Sequence, residues 1–203
     1  ALASSAVYIA VARYSLLLAL AFNVLVLYLT LGFRQFSHYF TDIRDALDRG
    51  EEDLARRLLG QWRHLDASEL PRTELLRHVI EHALLAAHRH VFGVFFCIVA
   101  LSALGLGPAG AVAYRMAEFT SRYWAFKSRT LDAPANERLM RLSQRMFSLI
   151  DHLPARLTAF GFAVFSNFEQ AVNGWRRHAG QWLQQNQGIL LTTAAGALGV
   201  QLG

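Results

Sequence analysis

The sequence predicts an all-α, polytopic helical membrane protein with a cytoplasmic amphipathic helical segment. Three observations predict it. Hydrophobic residues fill 54% of the 203 positions and charged residues only 17%, a balance too apolar for an ordinary soluble domain. Long uncharged stretches alternate with densely charged ones, the pattern of membrane and aqueous zones rather than of one globular core. Within the charged stretches apolar residues recur at three- and four-residue spacing, and no strand-type alternation stands out.

The first uncharged run, YSLLLALAFNVLVLYLTLGF, occupies residues 14–33. At 1.5 Å per residue such a run covers about 30 Å, the thickness of the bilayer hydrocarbon. A signal peptide would have a shorter apolar core followed by a small-residue cleavage site, whereas this run leads straight into a charged helix. Residues 14–33 are therefore expected to be a membrane span. Residues 34–90 follow as a cytoplasmic helical segment. Phe36, Phe40, Ile43 and Leu47 give a first helix one apolar face, and Gly50 is its natural stop. EEDLARRLLGQWRHL reads as a second helix with acids in its first turn, and a third is expected to open at Ser68, with Pro71 and Glu74 behind it.

Residues 91–126 read as a helical hairpin. Its first arm is the uncharged stretch from Val91 to Gly107, its turn is GLGPAG, and its second arm carries Arg115, Glu118 and Arg122. An ionised group at membrane depth is costly unless paired, and the three-residue spacing lets Arg115 meet Glu118. Residues 127–187 are expected to hold amphipathic helices and a partial span. KSRTLDAPANE would be a polar loop. Leu139, Leu142, Met146, Leu149, Ile150 and Leu153 would line one helix face, and Pro154 would end or kink that helix. Residues 188–203 would begin a further apolar helix rich in small residues. All 203 residues are read as one membrane domain. The ends ALASS and GALGVQLG look cut from a longer protein, so this span count is a minimum.

The net charge of +5 is localised. Residues 34–90 are nearly balanced, with nine Arg against ten acids, whereas residues 115–177 hold ten Lys and Arg against five acids. Basic segments beside apolar runs face the cytoplasm, which places residues 34–90 and 127–153 there and explains the charge without a nucleic-acid partner. The lipid bilayer is the expected partner. Cys97, the only cysteine, excludes a disulfide framework or a cysteine-based metal site within the chain.

Two motifs match the wrong chemistry. GLGPAG satisfies G-x-G-x-x-G but follows an apolar helix rather than a strand, so it reads as a hairpin turn. HVIEH at 78–82 satisfies the inverted zinc-protease pattern, yet no third ligand is identifiable, and no metal ligands are assigned. Arg56, Arg57, Arg63, Arg72 and Arg77 form either an anion-binding face or, more simply, solvated surfaces balanced by Asp and Glu.

Four stretches in order carry a resemblance. They are FSHYFTDIRDALDRGEEDLARRLLGQWRHLDASEL (36–70), GLGPAGAVAYR (105–115), HLPARLTAF (152–160) and GALGVQLG (196–203). Together they resemble the cobalamin-biosynthesis CobD/CbiB family over most of the chain. The resemblance implies an integral inner-membrane enzyme, adenosylcobinamide-phosphate synthase. Such an enzyme joins an aminopropanol unit to the carboxylate of adenosylcobyric acid, using ATP and magnesium. A corrinoid substrate or a membrane protein partner is implied with it.

The family's acidic positions are partly replaced. Its "ExxxENxxDG" pattern meets EHALLAAHRH, which keeps Glu81 but places Leu85, Ala86 and Arg89 at the other sites. "NTxDS" meets EFTSR, with Glu118 and Ser121, and the "DD" before the Pro-Ala-Arg-Leu turn meets Phe147 and Ser148, followed by Asp151. Glu81, Glu118 and Asp151 are thus the candidate catalytic acids, and Arg89, Arg115 and Arg156 the candidate substrate- or anion-binding residues. Loss of acids makes a catalytically degenerate copy the expectation. It also resembles the AmpE-type membrane proteins, so a non-enzymatic regulatory or signalling role is the alternative.

Overall fold

A computed structural model describes residues 1–31, 33–63, 66–130, 134–164 and 185–198, and every regular element among them is helical. The elements are α1 (Leu2–Tyr14), α2 (Leu16–Thr30), α3 (Phe33–Asp48), α4 (Glu52–Arg63), α5 (Arg72–Ala87), α6 (Gly93–Ala103), α7 (Ala109–Thr130), α8 (Pro134–Ile150), α9 (His152–Val164) and α10 (Gln185–Leu198). A π-helical turn, His88–Phe92, joins α5 to α6. They fall into two compact units, one of Ala1–Leu31 with Arg89–Thr158, the other of Gly32–His88 with Ala159–Gly203.

In the second unit, α3 buries Ile43, Ala46 and Leu47 against Ala55 and Leu59 of α4 and Leu75 and Val79 of α5. Phe40 packs on the same core, so three of the four residues expected on this face are on it; the side chain of Phe36 lies outside the described residues. Gly50, at φ +76°, closes α3 as expected. Its N–H donates to the Leu47 carbonyl and that of Glu51 to Ala46, the paired bonds that seal a helix end through a left-handed residue. The third helix opens at Arg72 rather than at Ser68. The Ser68 hydroxyl and N–H both donate to the Asp66 carboxylate, at 2.7 and 3.0 Å, and so do not cap a helix. These bonds, the hydroxyl's foremost, hold the Asp66 carboxyl below its ordinary range. α10 packs on α5 and buries Ile189, Leu190, Leu191 and Ala194.

In the first unit, the expected span of residues 14–33 is interrupted. Ser15 is extended (φ −160°, ψ 128°), its N–H closing α1 on the Val11 carbonyl and its own carbonyl opening α2 on Ala19. One extended residue leaves hydropathy unchanged, so the uncharged run conceals it. Leu31 is extended as well (φ −70°, ψ 107°) and ends α2, which is therefore 15 residues long, about 22 Å, shorter than the hydrocarbon thickness. The Ser5 hydroxyl of α1 donates to the Leu106 carbonyl at 2.8 Å, tying α1 to the turn after α6.

That turn is the hairpin the sequence predicts. Gly105 at φ +76° ends α6, with Gly105 N–H on Ser102 and Leu106 N–H on Leu101. α7 then packs along α6 so closely that a Cβ on Gly110 would run into the Cys97 carbonyl. The α7 helix continues to Thr130, so Lys127 to Thr130, expected to open a polar loop, are helical, and residues 131–133 of that stretch lie outside the described residues. Lys127 stays helical because its ammonium lies over the Tyr123 and Trp124 rings of its own helix, 5.8 and 5.0 Å from their centres.

Residue 90 is no break either. The π turn carries the helix through, and Arg72–Ala103 is a continuous 32-residue run, the one run among the described residues long and apolar enough to cross a membrane. Only 39% of its apolar window is buried within the protein, unlike the core helix of a soluble fold. α8 ends at Ile150, four residues before Pro154, which has no N–H for that carbonyl and whose ring would collide with it. The apolar face expected on α8 exists but points outward: Leu142 is 58% exposed and Leu149 71%. The stretch 169–182, read as part of the amphipathic region, lies outside the described residues.

Glycine packing at the α6–α7 contact gives a direct test. Gly110→Ala should destabilise the detergent-solubilised full-length protein by about 1–3 kcal/mol, because backbone must move to admit the methyl. Gly161→Ala in α9, where nothing lies within 4 Å of the added carbon, should be neutral or stabilise by about 0.5 kcal/mol. Thermal unfolding midpoints of the two variants measure the contrast.

Candidate functional site

Chemistry-bearing side chains of the first unit gather on one face of α7. Tyr114 is completely buried, enclosed by Val94, Cys97 and Ile98 of α6 and by Ala111. Its ring tilts against Phe147 of α8, with ring centres 5.5 Å apart. Gly93 makes room for it, since a Cβ there would collide with the phenol oxygen. Held in this slot, the Tyr114 hydroxyl donates to Asp151 Oδ1 at 2.6 Å. Asp151 sits in the break between α8 and α9 and is 5% exposed, where an unpartnered carboxylate would be costly. Arg89, at the π turn, lies within electrostatic reach of the Tyr114 hydroxyl.

One turn further along the same face, four residues from Tyr114, is Glu118, with a side chain 4% exposed. Arg115 Nη1 lies 3.4 Å from its Oε2, the pairing expected from the spacing, and Arg122 Nε lies 3.6 Å from its Oε1. Arg115 Nη1 also donates to His90 Nδ1 at 2.9 Å. A guanidinium only donates, so Nδ1 is the acceptor and the neutral ring carries its proton on Nε2. The result is a buried carboxylate between two guanidiniums, one of them also held by a buried histidine.

The other candidates lie elsewhere. Glu81 belongs to the second unit, where Arg77 Nε is 3.9 Å and His78 Nδ1 3.6 Å from its carboxylate. Arg156 turns back on its own helix and donates to the His152 carbonyl at 3.0 Å. The structure therefore brings Glu118, Arg115 and Asp151 to one face of α7, with Arg89 in electrostatic reach of Tyr114, while Glu81 belongs to the other unit.

The apparent zinc motif is differently engaged. Arg63 Nη1 donates to His78 Nδ1 at 2.7 Å, and His82 packs edge-on to Trp62 with ring centres 4.4 Å apart. A guanidinium in contact with the ring is a positive charge beside any cation the ring would hold, and so poor company for a metal. Among the described residues no group of three or more His, Cys, Asp or Glu is placed to hold a metal ion. The arginines of this unit are mostly paired: Arg56 with Glu52 and Asp53, Arg72 with Glu52, and Arg77 with Glu74.

Two participants escaped the sequence reading, Tyr114 and His90. Tyr114 stood inside the quoted stretch GLGPAGAVAYR, four residues before Glu118, and that helical spacing was the available clue. His90 gave none, because its partner Arg115 is 25 residues away.

The Tyr114 and Arg115 pair closes the stretch after the GLGPAG turn, one of the four that carry the resemblance. A sequence model of the CobD/Cbib protein family matches residues 1–203, the whole chain. The chain belongs to the CobD/CbiB family. Among curated relatives, the cobalamin biosynthesis protein CobD of Chromobacterium violaceum is 33% identical over 190 residues, covering 92% of this chain and 57% of the relative. The CobD of Stutzerimonas stutzeri is 29% identical over 181 residues, 89% of this chain and 56% of the relative. The CobD of Photorhabdus laumondii is 30% identical over 188 residues, 89% and 55%. The chain thus spans just over half the length of the CobD proteins it matches. No solved structure matches it. Nothing in these relatives supports the AmpE-like alternative.

The phenol–carboxylate bond makes a measurable prediction. Tyr114→Phe keeps the packed ring but removes the donor to a buried carboxylate, and should cost about 1–3 kcal/mol. The double variant Tyr114→Phe/Asp151→Asn should cost less than the sum of the two single variants, because both changes remove the same shared bond. Thermal unfolding of the full-length protein measures both.

Proposed function

We propose that this protein is a multi-pass protein of the bacterial inner membrane that acts in cobalamin biosynthesis, as a member of the CobD/CbiB family in which the amide-forming chemistry is degenerate. The family activity, by resemblance, is that of adenosylcobinamide-phosphate synthase. The observation that carries the reading is the internal commitment of the remaining acids. Glu118 is neutralised by Arg115 and Arg122, and Asp151 accepts from Tyr114. Magnesium needs several oxygen ligands around one point at about 2.1 Å, and ATP brings further negative charge that the metal must bridge. Arg89 stands where the family pattern has an acid, and no three acids or histidines among the described residues converge. These residues do not fit a magnesium–ATP site, and no step through one is derived for this chain.

Membrane insertion is supported by the outward apolar surface. On α2, Leu16, Leu17, Leu18, Leu20, Tyr28 and Leu29 are each more than half exposed, far beyond what a soluble monomer tolerates as one patch. The continuous run Arg72–Ala103 supplies length and composition for insertion. Positive charge beside these runs favours the cytoplasmic face for residues 34–71 and 127–153. α3, α4 and the opening of α5 then form an aqueous helical subunit at that face, with charged residues on its outer surfaces.

Complementation tests the reading. The full-length gene, expressed in a bacterium lacking adenosylcobinamide-phosphate synthase and supplied with cobyric acid, should fail to restore growth while the protein resists carbonate extraction from the membrane. Growth would overturn the degenerate reading. In that case Glu118→Gln and Asp151→Asn should each abolish it. Release of the protein by carbonate would overturn membrane integration.

A further inference from the structure

α8 divides into three faces. Asn136, Met140 and Phe147 turn inward, Phe147 onto Tyr114, while Met140 Sδ accepts from the Ser128 hydroxyl of α7 at 3.0 Å. The second face is a row of exposed apolar side chains, Leu139, Leu142, Met146 and Leu149, continued by Leu153. The third is a row of exposed arginines, Arg138, Arg141 and Arg145, each one position before an apolar residue and so about 100° around the helix from it. Arg141 pairs with Glu137 at 3.1 Å. Among the described residues Arg138 and Arg145 have no acidic partner.

From this arrangement we propose that α8 lies along the cytoplasmic surface of the bilayer, with its leucine row among the acyl chains and Arg138 and Arg145 binding anionic phospholipid headgroups. An arginine stripe across the middle of α8, from Arg138 to Arg145, excludes a lipid-exposed transmembrane path for it, since each guanidinium at bilayer depth is expensive. A bare leucine stripe beside the arginines excludes a purely aqueous position. Lipid at the interface satisfies both rows at once, as it does for amphipathic surface helices with basic polar faces. The occupant is chosen by charge complementarity: the unpartnered cations border the apolar row where phosphates lie in a leaflet, and anionic headgroups add attraction that zwitterionic ones do not. The chain leading into α8 gives a second, independent mark of depth. Tyr123, Trp124 and Lys127 cluster at the end of α7, the aromatic and basic side chains that concentrate at the headgroup level. Ser128, one residue on, is tied to α8 through Met140, which holds the middle of α8 near that level.

The inference rests on the membrane reading above, and its test separates the two. The probe is the full-length protein with a single cysteine, Leu142→Cys with every other cysteine replaced, labelled with an environment-sensitive fluorophore. It is reconstituted in vesicles of phosphatidylcholine and phosphatidylglycerol carrying a nitroxide on one lipid or the other. Quenching by nitroxide phosphatidylglycerol should exceed that by nitroxide phosphatidylcholine by about twofold or more, and Arg138→Gln/Arg145→Gln should bring the ratio to about one. No quenching by either lipid, from protein that resists carbonate extraction, would show the leucine row covered by protein and would overturn the proposal while leaving membrane integration intact. Equal quenching by both lipids in the parent protein would overturn the anionic headgroup assignment. Protein released by carbonate would overturn the membrane reading itself.

Discussion

The first unit depends on how closely α7 approaches α6. Gly110 meets the Cys97 carbonyl at backbone distance, and Gly93 leaves space for the Tyr114 phenol. With both side chains absent, the helices come together closely enough to enclose a tyrosine completely. The enclosed hydroxyl needs a partner, and the chain supplies one at Asp151, where Pro154 has stopped α8. Two glycines, a tyrosine, a carboxylate and a proline thus fix where α6, α7 and the α8–α9 break stand. Small residues at the contact are what let the two backbones approach so closely.

Charge is handled by the same economy. α7 carries Arg115, Glu118 and Arg122 through an apolar neighbourhood, and each finds an opposite charge or a hydrogen bond within the unit. Breaking one partner would leave a buried charge uncompensated, which costs more than the pair itself gives. Arg89 adds positive charge within electrostatic reach of Tyr114.

The second unit is built around an apolar core of its own. Its core is a continuous cluster of alanine, leucine, isoleucine and valine from α3, α4 and α5, with Trp62 closing one side against Tyr39 and His82. Its half-buried Arg56 and Arg77 meet acids at helical spacing on their own helices, pairs that give little stability so near the surface. The exposed faces of α2 and α8, in the first unit, are apolar instead.

The sequence by itself determined the helical class, the amphipathic face of α3, the Gly50 stop, the turn at Gly105 and the Arg115–Glu118 pair. Each of these is local: a period of three or four residues, a glycine that alone takes positive φ cheaply, a charge pair on neighbouring turns. Local rules also misplaced boundaries. They read an unbroken span through Ser15, a helix start at Ser68 and a loop at Lys127, because one extended residue, one side-chain bond to Asp66 and one cation–π contact each override propensity without altering composition. Only the tertiary structure decided that Tyr114 meets Asp151 across 37 positions, that His90 holds Arg115, and that the apolar row of α8 faces outward. Periodicity shows that a helix has an apolar side. What that side meets depends on partners distant in the chain, and distance in sequence is what a local pattern does not encode.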